Sequence, residues 1–133
     1  MTTVLFACVR NAGRSQMAAA FFNVLADPAK AHAISAGTAP AEQVHPEVVA
    51  TMAETGLDLA GATPLLLTRE IATTAQLLVT MGCGESCPVV PGLARLDWPL
   101  PDPEGRAVES VRHIRDDIRT RVEELVTARH WTR

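Results

Sequence analysis

The stretch Cys8-Val9-Arg10-Asn11-Ala12-Gly13-Arg14-Ser15 constrains this chain more than any other. It sets a cysteine directly after an apolar run, Thr3-Val4-Leu5-Phe6-Ala7, which reads as a buried strand. Ser15 to Leu25 follows and reads as a helix. A thiol at a strand-to-helix turn faces unpaired backbone N–H groups and the positive end of the helix dipole. Such a place binds a tetrahedral oxyanion and favours the thiolate over the thiol. Arg14 adds a planar cation whose paired donors match two oxygens of phosphate or arsenate. Gly13 is expected to permit the backbone twist that turns successive N–H groups inward. Val9, Arg10, Asn11, Ala12, Gly13 and Arg14 are therefore the expected oxyanion-binding residues, with the Arg10 side chain itself in solvent. A buried structural cysteine beside a surface arginine is the plainer alternative. Strand, spacing, glycine, arginine and helix together argue against it.

The 133 residues suffice for one domain with a real core, taken here as 1–133, and are too few for two. A net charge of −3, from 12 basic and 15 acidic residues, is no footprint for nucleic acid or an anionic membrane. Positive potential must then be local to the loop. No apolar run approaches membrane-spanning length, and the N-terminus enters a strand without a signal-like segment. These features predict a cytoplasmic protein, expected to act as a monomer. In that compartment three cysteines serve catalysis, metal or redox exchange more often than structural disulfides.

Met17, Phe21, Val24 and Leu25 recur at helical spacing, and Asp27-Pro28 ends that helix. His32-Ala33-Ile34-Ser35 is a short strand candidate closed by Ala36-Gly37. Pro46 suits a helix start, Val48, Val49 and Met52 mark one face, and Gly56 is the expected stop. Thr68 to Ile71 opens a short helical turn. Ala75 to Met81 is a continuous apolar run that suits a central parallel strand. Leu93 to Trp98 contains another strand. Val108, Val111, Ile114, Ile118, Val122 and Leu125 form one stripe of a long C-terminal helix. Strands alternating with helices predict an α/β fold with a parallel sheet of four strands flanked by helices. Ligands in such sheets bind beyond the C-terminal strand ends. Cys8, the Cys83–Cys87 loop and the Asp102 loop all follow predicted strands, so they should gather at one edge.

Gly82-Cys83-Gly84-Glu85-Ser86-Cys87-Pro88 carries two thiols separated by three residues. A disulfide between them requires the loop to bend or coil. Half of a zinc site, or two unrelated buried thiols, are the alternatives. Zinc would need a second ligand pair, and the four histidines show no paired spacing. Asp102-Pro103 is the third element. Pro103 biases Asp102 toward an extended conformation, which can hold its carboxyl over the loop and let it protonate a departing oxygen. Asp97 is a weaker candidate for that task. His45 before Pro46 reads as a helix-entry residue, and Trp98 as core.

Together these residues resemble the thiol-dependent arsenate reductases built on the low-molecular-weight tyrosine phosphatase fold. The resemblance covers nearly the whole chain. It rests on Val4-Leu5-Phe6 leading into Cys8 to Ser15 and Gln16-Met17-Ala18. Further along it rests on Ser35-Ala36-Gly37-Thr38, His45-Pro46-Glu47, Thr80-Met81-Gly82-Cys83, Cys87-Pro88 and Asp102-Pro103. The resemblance implies Cys8 as nucleophile, Arg14 as oxyanion clamp, Ser15 as hydrogen-bond partner of the thiolate and Asp102 as general acid. It implies Asn11 as a brace for the loop with Ser35 nearby, and Cys83 and Cys87 as the resolving pair. It further implies arsenate as substrate, phosphate or sulfate as competing anions, and thioredoxin or a related thiol as reductant. No metal or organic cofactor is expected. Some relatives hold potassium with an acid on the first helix, where this chain has Ala19. Two rival readings are a plain tyrosine phosphatase and a non-catalytic module binding arsenite or a soft metal. Against the first, the chain has no Tyr, and Glu104-Gly105 stands where many such phosphatases carry an aromatic pair. The second leaves Arg14 and Asp102 without work.

Overall fold

A computed structural model describes residues 1–82 and 90–133, so Cys83 and Cys87 lie outside the described residues. Among the described residues there are four strands and four helices. They are β1 (Thr2–Cys8), α1 (Arg14–Leu25), β2 (Ala31–Gly37), α2 (Pro46–Ala53), α3 (Arg69–Thr73), β3 (Leu77–Thr80), β4 (Ala94–Asp97) and α4 (Val108–Ala128). The strands form one parallel sheet in the order β2-β1-β3-β4. The expected four-stranded α/β fold is thus observed.

β1 lies between β2 and β3, and Val4 to Cys8 are buried on both faces of the sheet. That burial explains an uninterrupted apolar run instead of alternation. On one face, Val4, Phe6, Leu77 and Val79 pack against α1, α2 and α4 through Met17, Phe22, Val48, Met52 and Ile118. On the other, Leu5, Ala7 and Leu78 meet only a thin layer around Ala72 and Ala75. Phe6 sits between Phe22 and Trp98, with ring centroids 6.0 and 5.7 Å away, so Trp98 is core as expected. Two stripe assignments need correcting. Val24 and Val108 are exposed, while Phe22 is fully buried, because α1 turns a face centred on residues 18 and 22 toward the sheet.

Chain order reverses direction across β1 and β3, since β2 lies on one side of β1 and β3 on the other. A crevice opens at the C-terminal ends of the strands at such a switch point. The loop after β1 fills it. Pro46 opens α2, and Thr68 caps α3 by accepting from the Ile71 N–H at 3.1 Å.

Candidate active site

The loop from Cys8 to Arg14 is held from outside by its own carbonyls. The Cys8 carbonyl accepts from the Thr38 N–H at 3.2 Å, Val9 from Ala39 at 2.8 Å, Arg10 from Ala41 at 2.9 Å and Ala12 from His45 at 2.9 Å. In a planar trans peptide the N–H points opposite to the C=O. Turning these carbonyls outward therefore turns the N–H groups of Val9, Arg10, Asn11 and Gly13 toward the loop interior. The Arg10 to Gly13 N–H groups donate to no backbone carbonyl among the described residues. The first turn of α1 adds its own free N–H groups, with no side-chain cap and no acidic residue to oppose an anion.

The left-handed residue of this loop is Asn11, with φ of 48°, and not the expected Gly13, which keeps φ of −147°. Asn tolerates that region better than other side-chain-bearing residues because its amide bonds locally. Gly13 is needed for space: a Cβ there would stand 2.7 Å from Pro103 Cγ.

Beneath the loop runs a chain of donors whose direction can be deduced. The Leu65 backbone N–H, which can only donate, lies 2.9 Å from Asn11 Oδ1. That fixes the amide, so Asn11 Nδ2 must face Ser15 Oγ, at 2.7 Å. Ser15 Oγ accepts there and lies 2.8 Å from Cys8 Sγ, to which it donates when Cys8 is the thiolate, since a thiolate can only accept. A thiolate at Cys8 thus receives a charge-assisted hydrogen bond. Cys8, Asn11 and Ser15 are all at most 1 % exposed. Gln16 Nε2 braces the same amide, 3.2 Å from both Asn11 Oδ1 and the Asn11 carbonyl. Ser35 stands opposite Phe6 in β2 and is not among the partners of the Asn11 side chain.

Arg14 is buried, and its Nη1 donates to the Leu100 carbonyl at 3.0 Å. Its Nη2 lies 3.9 Å from Asp102 Oδ2. Gly82, at φ of 95°, packs so close that a Cβ would collide with Arg14 Nη1. Asp102 accepts the Glu104 N–H at Oδ1, 3.0 Å away, and is partly exposed. Asp97 is elsewhere: its carboxyl is held below the usual range, first by a hydrogen bond from Thr80 and then by Arg95, and it is a poor proton donor. Arg10 lies in solvent, as expected, with Nη1 on the Ala39 carbonyl at 3.0 Å. Sequence reasoning missed Gln16, Leu65 and Leu100 as site components. The last two act through backbone atoms, which leave no signature in residue type.

A cysteine loop of this construction, with a buried arginine and a facing aspartate on a parallel sheet, defines a protein of phosphatase-like oxyanion chemistry. Residues 3–130 match the low molecular weight phosphotyrosine protein phosphatase family, and the chain belongs to it. Within the family it stands beside proteins named arsenate reductases. It is 33% identical to the glutaredoxin arsenate reductase of Synechocystis over 95% of this chain and 97% of that protein. A thioredoxin-dependent arsenate reductase of Corynebacterium glutamicum superposes with a TM-score of 0.83 at 38% identity. The match covers 96% of this chain and 61% of that longer one. An arsenate reductase solved in its phosphate-binding state gives 0.83 at 33% identity, over 96% of this chain and 98% of that one. Among the described residues, no helix is long and apolar enough to cross a membrane.

Proposed function

We propose that this protein reduces arsenate to arsenite through a relay of Cys8, Cys83 and Cys87, the last disulfide being reduced by thioredoxin or a related dithiol. The observation that carries the reading is the Asn11–Ser15–Cys8 donor chain under a loop of inward N–H groups, closed by Arg14. It supplies a bound oxyanion and a nucleophilic sulfur at one point. The relatives named above support arsenic as the central atom.

In the first step Cys8 Sγ attacks arsenic, an As–O bond breaks, and Asp102 gives its proton to the departing oxygen, which leaves as water. The inward N–H groups and Arg14 hold the remaining oxygens. In the second, the Cys83 thiolate attacks Cys8 Sγ. The S–As electron pair stays on arsenic, As(V) becomes As(III), and arsenite leaves from a Cys8–Cys83 disulfide. The two electrons come from the two sulfurs. Cys87 then attacks Cys83 Sγ and frees Cys8, leaving a Cys83–Cys87 disulfide for the external dithiol. The chain enters 83–89 from Gly82, beside Arg14.

The test is one turnover without reductant, followed by peptide mapping. Cys83→Ser is expected to release no arsenite. Cys87→Ser is expected to release about one equivalent and stop as a Cys8–Cys83 disulfide. A Cys8–Cys87 bridge with normal arsenite release in Cys83→Ser would reverse the order. The phosphatase reading keeps one argument, since the loop and Asp102 serve phosphoryl transfer equally well. Steady aryl phosphate hydrolysis with no arsenate turnover in the wild-type protein would favour it.

A further inference from the structure

The start of α2 grips the loop that carries Asp102. Glu47, in the first turn, accepts the Gly105 N–H at Oε1, 3.3 Å away. His45, the residue before Pro46, places Nε2 4.0 Å from Glu104 Oε2. Ligand-type atoms of His45, Asp102 and Glu104 all lie within 4.8 Å of one another. The His45 side chain is 12% exposed, whereas Glu104 is 57% exposed. His45 is in turn fastened to the oxyanion loop, because its backbone N–H donates to the Ala12 carbonyl. Pro103 sits over Gly13 in a space that a Cβ would fill. Arg106 Nε closes the turn on the Asp102 carbonyl at 2.6 Å.

These contacts leave the Asp102 loop little purchase of its own. Residues 101–107 lie outside every helix and strand, and the Asp102 side chain touches Arg14 only at 3.9 Å. The fixed points are on α2. We infer that His45 and Glu47 are positioning residues that, through Glu104 and Gly105, hold Asp102 beside Arg14 in register with the oxyanion loop. Neither touches the reacting atoms. Among the described residues, the carboxylates near His45 Nε2 are those of Glu104 and Asp102. The inference rests on Asp102 being the proton donor proposed above.

The experiment is a double-variant cycle on the full chain. Glu47→Ala and Glu104→Ala change a half-buried and an exposed side chain, neither of them in the core, and should fold. Each is expected to lower kcat about tenfold with KM for the oxyanion unchanged, since a misplaced acid loses rate and not binding. His45→Gln should behave alike. In an Asp102→Asn background the same substitutions should cost nothing further, because they act only through Asp102. A merely structural role would move KM and persist in that background, and either result would overturn the inference. The cycle is read with arsenate plus thioredoxin and, separately, with phenyl phosphate. A wild-type protein inert toward arsenate and active on phenyl phosphate sinks the reductase reading alone, and the cycle is then decided on phenyl phosphate. Inertness toward both overturns the two together.

Discussion

Replacing Asn11 by Ala tests the loop at its most connected residue. The substitution removes the bond to Ser15 Oγ, the bond from the Leu65 N–H, and one of two acceptors of the Gln16 amide. The first two are worth about 1 kcal/mol each in net stability. Alanine also tolerates φ of 48° less well than asparagine, at a cost of about 1 kcal/mol. The expected loss is about 3 kcal/mol in all, read as a fall in the urea midpoint at unchanged slope. Asn11→Gly separates the terms: it loses the same bonds without the backbone strain, so it should be about 1 kcal/mol more stable than the alanine variant. Activity gives an independent arm. Asn11→Asp keeps the acceptor for Leu65 but has no donor for Ser15, whose hydroxyl hydrogen would then turn away from Cys8. Its rate should fall even if it folds well. An alanine variant within 1 kcal/mol of wild type by the same titration, or an aspartate variant with wild-type kcat, would refute the deduced direction of the chain.

Ser15→Ala removes the donor to Cys8 Sγ, and kcat should fall about ten- to hundredfold, the range for a hydrogen bond to a charged group, with phosphate inhibition little changed. Gly82→Ala forces a side chain into a left-handed position against Arg14, so the phosphate inhibition constant should rise and stability fall by about 1–2 kcal/mol, measured by inhibition and denaturation. Glu54, held to about 2 by hydrogen bonds from Arg112 and then Arg115, ties α2 to α4. A depressed carboxylate contributes stability above its unfolded value of about 4.5 and loses it as pH falls through the folded value. The urea midpoint should therefore decline between those two pH values, and Glu54→Gln should flatten that decline.

The sheet was legible because Val4–Cys8 of β1 and Leu77–Val79 of β3 are unbroken apolar runs, a pattern that burial on both faces imposes. The helix faces were read less well. α1 mixes alanine and bulky residues around its circumference, so Val24 and Phe22 could not be ranked by spacing alone. At the site, the gathering of Cys8, Asn11, Arg14 and Ser15 was legible because they lie in one short segment between a strand and a helix. The residue assigned to the loop's turn was not, since glycine and asparagine can both adopt left-handed geometry and only the backbone says which does. Leu65 and Leu100 were beyond any sequence reading. They contribute an N–H and a C=O, which every residue except proline offers alike. Asp97 shows the reverse case, a plausible acid in sequence whose carboxyl the fold commits to Thr80.

A chain of net charge −3 must collect a dianion by arranging partial charges at one point. The carbonyls of Cys8, Val9, Arg10 and Ala12 are spent on N–H groups of residues 38–45, outside the site, which turns the N–H groups of the same peptides inward. Arg14 is treated likewise. One guanidinium nitrogen is fixed by the Leu100 carbonyl, which sets the plane of the group in advance. The other is 3.9 Å from Asp102, beyond hydrogen-bond length, and keeps donors for oxyanion oxygens. Were Asp102 to close on Arg14 as a tight ion pair, it would occupy that donor. The separation leaves that nitrogen's donors free of the carboxylate. On the reading proposed above, the contacts that fix the Asp102 loop at that distance matter as much as the residues that would touch the anion.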